Sequence, residues 1–417
     1  MRRAIEETSR LASLLNIPNT HISQYISKNS DVTIGDFDCC LIVGDNLDAL
    51  TFLSEKYSNE IDFCYIDPPY NTGSKFIYDD KRYSSNTGIW GKHCAWMGFM
   101  LPRLVLMHNL LSERGVAAIS IDDYEYAQLK ILLDNIFGAE NHIGTLIVNR
   151  SKNGKGSKAN IAVCHEHVLM YGKTDKAEIF GLPEKDFESY TKADEHGRYK
   201  VDGLFRKKGE ASRRVDRPNM FYPLYYDETG NVYTENVTGR LRETFPIDSK
   251  GVERRWLWGI EKASFESWRL YASSKGVIYV KNYLTDNKHV KIRSVWDDVR
   301  YLTERATNEI NDIYGNKVFE TPKPLGLIED LIKCCTKKDD LILDFFCGTA
   351  TTAHATFNVN QIDGGTRKVV LVEQDTKIES GHIALSNGFE FISDIAEYRL
   401  KKITSLSQSY SYSVLRV

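Results

Sequence analysis

With 417 residues, 42% hydrophobic and 27% charged, the chain has the composition of an ordinary globular protein, long enough for two or three domains or one large α/β domain with an insertion. A net charge of -3 excludes a histone-like coat protein, although a local basic patch stays compatible with DNA binding. No run approaches the ~18 apolar residues of a membrane span, and eight cysteines without a C-x-x-C pair fit buried thiols in a reducing cytoplasm.

In chain order, residues 1–35 read as a polar N-terminal arm that opens on a short amphipathic helix, not a signal peptide. CCLIVGD (39–45) reads as a buried strand entering a turn, and Leu47, Leu50, Leu53 and Tyr57 follow at helical spacing. IDFCYI (61–66) is the next strand, with Asp67 at its C-terminal end. An apolar helix from Trp96 to Leu111 is expected to stop by Gly115, and GVAAISI (115–121) to form a strand. Asp122 is expected to cap a helix, with Glu125 as its capping-box partner and Gly138 as the stop. GTLIV (144–148) and EHVLMYG (166–172) add strands, so residues 39–172 alternate strand and helix in the manner of a mostly parallel sheet covered on both faces.

Residues 174–290 break this rhythm and read as an insertion rich in Tyr, Arg, Lys, Asp and Gly. The rhythm returns with a helix expected from Thr321-Pro322 that carries Leu325, Ile328, Leu331 and Ile332 on one face. A strand (LILDFF, 341–346), a tight turn into a helix (CGTATTAHATF, 347–357) and a strand (KVVLVE, 368–373) complete it. The Ser/Tyr-rich stretch after Thr404 reads as a loose tail.

Three strand ends carry the chemistry. Asp67-Pro68-Pro69-Tyr70 combines acceptors, a stiffened turn without two backbone donors, and one flat aromatic face. Acceptors on both N–H groups of a base amine stabilise the positive charge that develops when that weak nucleophile attacks, and an aromatic ring stacks an extruded base. Taken alone, the tetrapeptide is also an ordinary stiff turn. Asp344 to Thr352 places small residues at a strand-to-helix turn that a cofactor can approach closely, and Glu373 ends the following strand, where a carboxylate can accept ribose hydroxyls. Gly44-Asp45-Asn46 lies at a third strand end, and there Asp45 is either an acceptor for an adenine amine or a helix N-cap. Neither G-x-G-x-x-G nor a Walker loop occurs, which suits a cofactor without a phosphate chain.

Arg206, Lys207, Lys208, Arg213, Arg214 and Arg217 form one basic cluster. Arg150, Lys152, Lys155 and Lys158 form another. Phe205, Tyr222, Tyr225, Tyr226, Trp256 and Trp258 are interleaved near the first, a pattern that suits phosphate and base contact or a solvated face. Cys164-His165-Glu166-His167 lacks the further ligands of the metalloprotease and deaminase patterns, so no metal is expected.

In order along the chain, GDNLDAL (44–50), IDPPYNTG (66–73), RGVAAISIDD (114–123), FGAENHI (137–143), HEHVLMYGK (165–173), RRWLWG (254–259), SVWDDV (294–299), TPKPLGLIEDLI (321–332) and DFFCGTATTAHA (344–355) resemble the β-class DNA amino-methyltransferases. The likeness is strongest to the modification subunits of type III restriction–modification systems. It implies a Rossmann-like methyltransferase fold, a mostly parallel twisted sheet with circularly permuted motif order and an inserted recognition domain. The implied divisions are an arm (1–35), a catalytic half (36–173), a target-recognition region (174–290), a cofactor-binding half (291–404) and a tail (405–417). The implied reaction is transfer from S-adenosylmethionine to adenine N6 in double-stranded DNA. Cytosine N4 is the near alternative, a catalytically silent DNA-binding partner the alternative of another class, and RNA or a protein amide a third substrate. By the same resemblance Asp67, the Pro68 carbonyl, Pro69 and Tyr70 are catalytic. Asp45, Asn46, Lys323, Pro324, Asp344, Phe346, Gly348, Thr349 and Glu373 would hold the cofactor, and the first basic cluster, singled out by its charge, would contact DNA from within the recognition region. A homodimer and a restriction subunit are the further partners the family suggests. Ala350 stands where the family's turn has a second glycine.

Overall fold

The computed structural model describes residues 2–15, 17, 38–73, 89–152, 161–285, 288–406 and 410–417. It divides into two compact units, residues 1–182 with 291–417, and residues 183–290.

Among the described residues, the first unit is built on a sheet of nine strands: β1 (Cys39–Val43), β2 (Ile61–Ile66), β3 (Leu111–Ile121), β4 (His142–Asn149), β5 (His165–Gly172), β6 (Val295–Trp296), β7 (Leu341–Asp344), β8 (Lys368–Glu373) and β9 (Tyr412–Arg416). Their spatial order is β6-β4-β5-β3-β2-β7-β8-β1-β9. Only β5 runs antiparallel to its neighbours. The central strands are apolar at nearly every position because helices cover both faces. Cys40, Ile42, Cys64, Ile66, Ala117, Ile119, Val370 and Val372 enter one core. The alternate residues Cys39, Leu41, Val43, Phe63, Tyr65, Val116, Ala118, Val369 and Leu371 enter the other.

Helices α1 (Arg2–Leu14), α2 (Asn46–Lys56), α3 (Ile89–Leu110) and α4 (Tyr126–Phe137) pack on the first face. After α5 (Thr303–Tyr314), α6 (Leu325–Cys335), α7 (Thr351–Asp363) and α8 (Ile392–Leu406) pack on the second. The chain leaves β2 for a helix on one face and leaves β7 for a helix on the other, and β2 and β7 are adjacent. That reversal opens a crevice at the carboxyl ends of the strands, where α/β sheets place ligands. None of the described helices is long and apolar enough to cross a membrane.

Several local expectations are corrected. No helix spans the gap to Gly115: α3 ends at Leu110 and β3 begins at once, because Leu111 pairs with Ile61. Asp122 does not cap α4, which starts at Tyr126, and the Glu125 side chain makes no cap bond. Asp122 accepts from Tyr124 N instead. Helix α6 begins at Leu325, after Pro324, so Thr321-Pro322 lies ahead of it and does not start it. The stretch read as a loose tail supplies β9, paired in parallel with β1 from Cys39↔Tyr412 to Val43↔Arg416.

The second unit contains a four-stranded antiparallel sheet ordered Leu270–Ala272, Ile278–Tyr283, Gly197–Leu204, Lys192–Asp194, and a three-stranded sheet centred on Leu224–Tyr226. Phe205, Tyr222, Tyr226 and Trp256 are buried in its core with Leu224 and Leu270. These four aromatics therefore pack the unit and are not available to stack on bases.

Candidate active site

Four neighbouring parallel strands, β2, β7, β8 and β1, end on or just before acidic residues: Asp67, Asp344, Glu373 and Asp45. All four line one cleft, together with Asn46, Tyr65, Pro69, Phe99, Arg103, Phe319, Thr321, Pro322, Lys323, Phe346, Gly348 and Thr349. The cleft holds about 1040 Å³ of non-protein space, its open mouth included. Pro68, Tyr70 and Pro324 lie outside the lining, and Pro324 is the residue before the first turn of α6.

At the β2 end, the Asp67 carboxylate meets the Lys323 ammonium at 2.9 Å. The same ammonium lies 3.2 Å from Glu166 Oε2, donates to the Tyr70 hydroxyl at 2.8 Å and sits 5.0 Å from the Tyr70 ring centre. Burial raises the Asp67 pKa, Lys323 opposes that shift and Glu166 adds to it. Burial works against the charge on Lys323, yet Asp67 and Glu166 hold its pKa above the ordinary lysine value. The turn itself is pinned: Trp96 Nε1 donates to the Pro69 carbonyl at 2.7 Å. Beyond Tyr70, Asn71 adopts φ 59 and donates to buried Glu125 at 2.7 Å, and His93 Nδ1 lies 2.9 Å from the same carboxylate.

At the β7 end, Asp344 accepts from Phe346 N at 3.0 Å and from the Thr352 hydroxyl at 2.5 Å, which closes the turn on itself. Burial still pushes its pKa up to about 7. Gly348 (φ 52) and Ala350 (φ 58) both take left-handed backbone. The Ala350 methyl packs in the core and does not line the cleft. Beneath the turn, buried Arg399 donates to the hydroxyls of Thr349 (3.1 Å) and Thr351 (2.9 Å).

Glu373 Oε2 accepts from Gly348 N at 2.6 Å, and burial lifts its pKa to about 8 against that bond and a second from Gln374 N. Asp45 caps α2 by accepting from Leu47 N at 2.7 Å, and its carboxylate still borders the cleft. Asn46 donates to Phe345 O at 2.9 Å and accepts from Arg103 Nε at 2.6 Å. Arg103, in turn, lies over the Phe99 ring at 3.9 Å.

Reading from residues alone missed Glu166, Glu125, His93, Trp96, Arg103 and Arg399. Glu166 and Glu125 stood inside patterns assigned to other work, and nothing local marks a buried arginine in an apolar helix.

In the second unit, Arg206 donates to the Ile247 carbonyl, and Arg214 pairs with Glu253 at 3.1 Å and covers Phe221. Lys207 is half-buried, and Lys208, Arg213 and Arg217 are exposed. Of the other basic stretch, Lys155 and Lys158 lie outside the described residues.

The DNA methylase family model for N6/N4 enzymes matches residues 61–377. Type II methyltransferase M.KpnI of Klebsiella pneumoniae is 53% identical over 378 residues, 90% of this chain and 90% of that protein. The EcoPI type III restriction-modification Mod subunit of Escherichia phage P1 is 32% identical over 97% of this chain and 67% of its own length. The StyLTI Mod subunit of Salmonella typhimurium is 31% identical over 87% of this chain and 56% of its own length. The matched span holds the Asp67 turn, the Asp344 turn and Glu373, and with 53% identity to a full-length methyltransferase it establishes that the chain belongs to the N6/N4 DNA methylase family.

Proposed function

We propose that the chain transfers a methyl group from S-adenosylmethionine to the N6 amine of adenine in duplex DNA, by base flipping and direct in-line transfer. The observation that carries this reading is the adjacency of β2 and β7, which sets the Asp67 turn beside the Asp344–Thr352 turn in one cleft. The cleft suits the cofactor: a row of carboxylates for a cation and for hydroxyls, and the aromatic faces of Phe99, Phe319 and Phe346 for a purine. Asp45, Asn46, Lys323, Phe346, Gly348, Thr349 and Glu373 would hold it, with Asp344 shaping the turn. When bound, S-adenosylmethionine supplies a methyl group already activated on a sulfonium, so no covalent enzyme intermediate is required.

Asp67 and the Pro68 carbonyl then accept the two N–H groups of the target amine. Asp67, raised in pKa and at the amine, is the group placed to take the proton that the amine releases. Lys323 neutralises Asp67 before substrate arrives and holds Tyr70 by its hydroxyl, which fixes the ring on whose face a flipped base would stack. Extruding a base costs a few kcal/mol. Phosphate contacts fall to exposed Lys208, Arg213 and Arg217 in preference to Arg206 and Arg214, which are engaged within the second unit. Asp at the first position of the tetrapeptide supports adenine as a tendency of the family that the motifs resemble.

The test is incubation of duplex DNA with labelled cofactor, followed by mass analysis of the nucleosides. N6-methyladenine is expected, and its loss in Asp67→Ala. No incorporation by the wild type, or full activity in that variant, overturns the reading. N4-methylcytosine as the product would overturn the choice of base alone.

A further inference from the structure

We propose that Asp123, His165 and His167 form a binding site for a zinc-class divalent ion, separate from the methyl-transfer cleft. His165 and His167 are two apart on β5, so both side chains leave the same face of the strand. Asp123 follows β3, whose pairing of Ile121 with His167 brings it alongside. His167 Nε2 lies 2.7 Å from Asp123 Oδ1, and His165 Nε2 lies 3.6 Å from the same oxygen. One ligand atom from each residue falls within 4.8 Å of the others. Donors about 2.0–2.2 Å from a tetrahedral zinc ion stand roughly 3.3–3.6 Å apart, so the His165–Asp123 separation already matches and the His167–Asp123 pair need only open from 2.7 Å by side-chain adjustment.

Two imidazoles and one carboxylate are the donors of zinc-class ions, whereas magnesium and calcium take oxygen sets. The two rings meet edge to face at 5.0 Å and converge on a single oxygen. Tyr126 packs on the His167 ring at 4.6 Å and limits its movement. His167 Nδ1 is buried with no partner among the described residues. Asp123 is half-exposed, which leaves the fourth coordination position to water.

An ion here ties the carboxyl end of β3 to the start of β5. Glu166 stands between the two histidines and leaves the opposite face toward Lys323. The site would therefore stiffen the strand that delivers Glu166 without touching the methyl-transfer cleft.

The experiment is cobalt(II) titration of the tag-free, chelator-treated full-length protein. We expect one equivalent with the visible absorption of a low-coordinate site, its displacement by zinc, and a higher melting temperature with ion. His167→Ala and Asp123→Ala should each weaken binding by on the order of tenfold or more. His142→Ala, on the neighbouring strand, should not. Absence of both the spectrum and the thermal shift in the wild type overturns the proposal. So does undiminished binding by a folded His165→Ala/His167→Ala variant.

Discussion

Lys323 sits between two carboxylates that act on each other through it. Because Glu166 raises the Asp67 pKa and Lys323 lowers it, substitutions at the two should displace the acid limb of the rate profile in opposite directions. Glu166→Gln should move that limb to lower pH, and Lys323→Met to higher pH with a slower maximal rate. Methyl transfer measured against pH decides this, since a merely structural loss would lower both profiles without moving them apart. Glu373 and Asp344 are raised to about 8 and about 7 in the cofactor-free protein. A sulfonium favours their ionised forms, so binding releases protons and cofactor affinity should rise with pH across that window, then flatten. Calorimetry in buffers spanning it checks the sign, and Glu373→Gln should flatten the slope. Left-handed Ala350 costs about 1–2 kcal/mol, and glycine there would forfeit a buried methyl of about 0.8 kcal/mol. The methyl is outside the cleft, so Ala350→Gly should leave cofactor affinity within about twofold, whereas a crowded pocket would tighten markedly.

At the scale of elements, the two turns are held from behind. Arg399 on α8 reaches Thr349 and Thr351, and Arg399→Met leaves both hydroxyls without their shared donor. Cofactor affinity should fall by about tenfold, a loss of about 1.4 kcal/mol, although Arg399 does not line the cleft. Titration calorimetry on the folded variant tests it. Strand β9 covers the edge of β1, and a Cβ on Gly44 would collide with Val417, so the C-terminal residues pack directly on the Gly44 turn before Asp45. Removing residues 411–417 should expose that edge and lower both solubility and melting temperature. The elements most legible from sequence were the buried strands, since continuous apolar runs ending in Gly or Asp leave few alternatives. Least legible was β9: SYSVLR alternates polar and apolar residues weakly, and only the free edge of β1 gives it a partner.

In the whole molecule, the strand order does what no segment does alone. Asp45, Asp67, Asp344 and Glu373 are scattered across the chain, yet β1, β2, β7 and β8 are consecutive in the sheet and parallel, so their carboxyl ends form one rim. Replacing Lys208, Arg213 and Arg217 together by Gln should weaken DNA binding and flatten its salt dependence while leaving cofactor binding intact. A gel-shift series over salt concentration measures this. By itself, the sequence determined the reaction class, the two chemical turns and the α/β alternation, because these depend on residue types and on periods within single segments. Only the tertiary structure decided that Lys323 joins Asp67 to Glu166, that Arg399 supports the turn from Asp344 to Thr352, and that Asp123 meets His165 and His167. Such contacts join residues far apart in the chain, and their chemistry exists only where the sheet brings the charges together out of water.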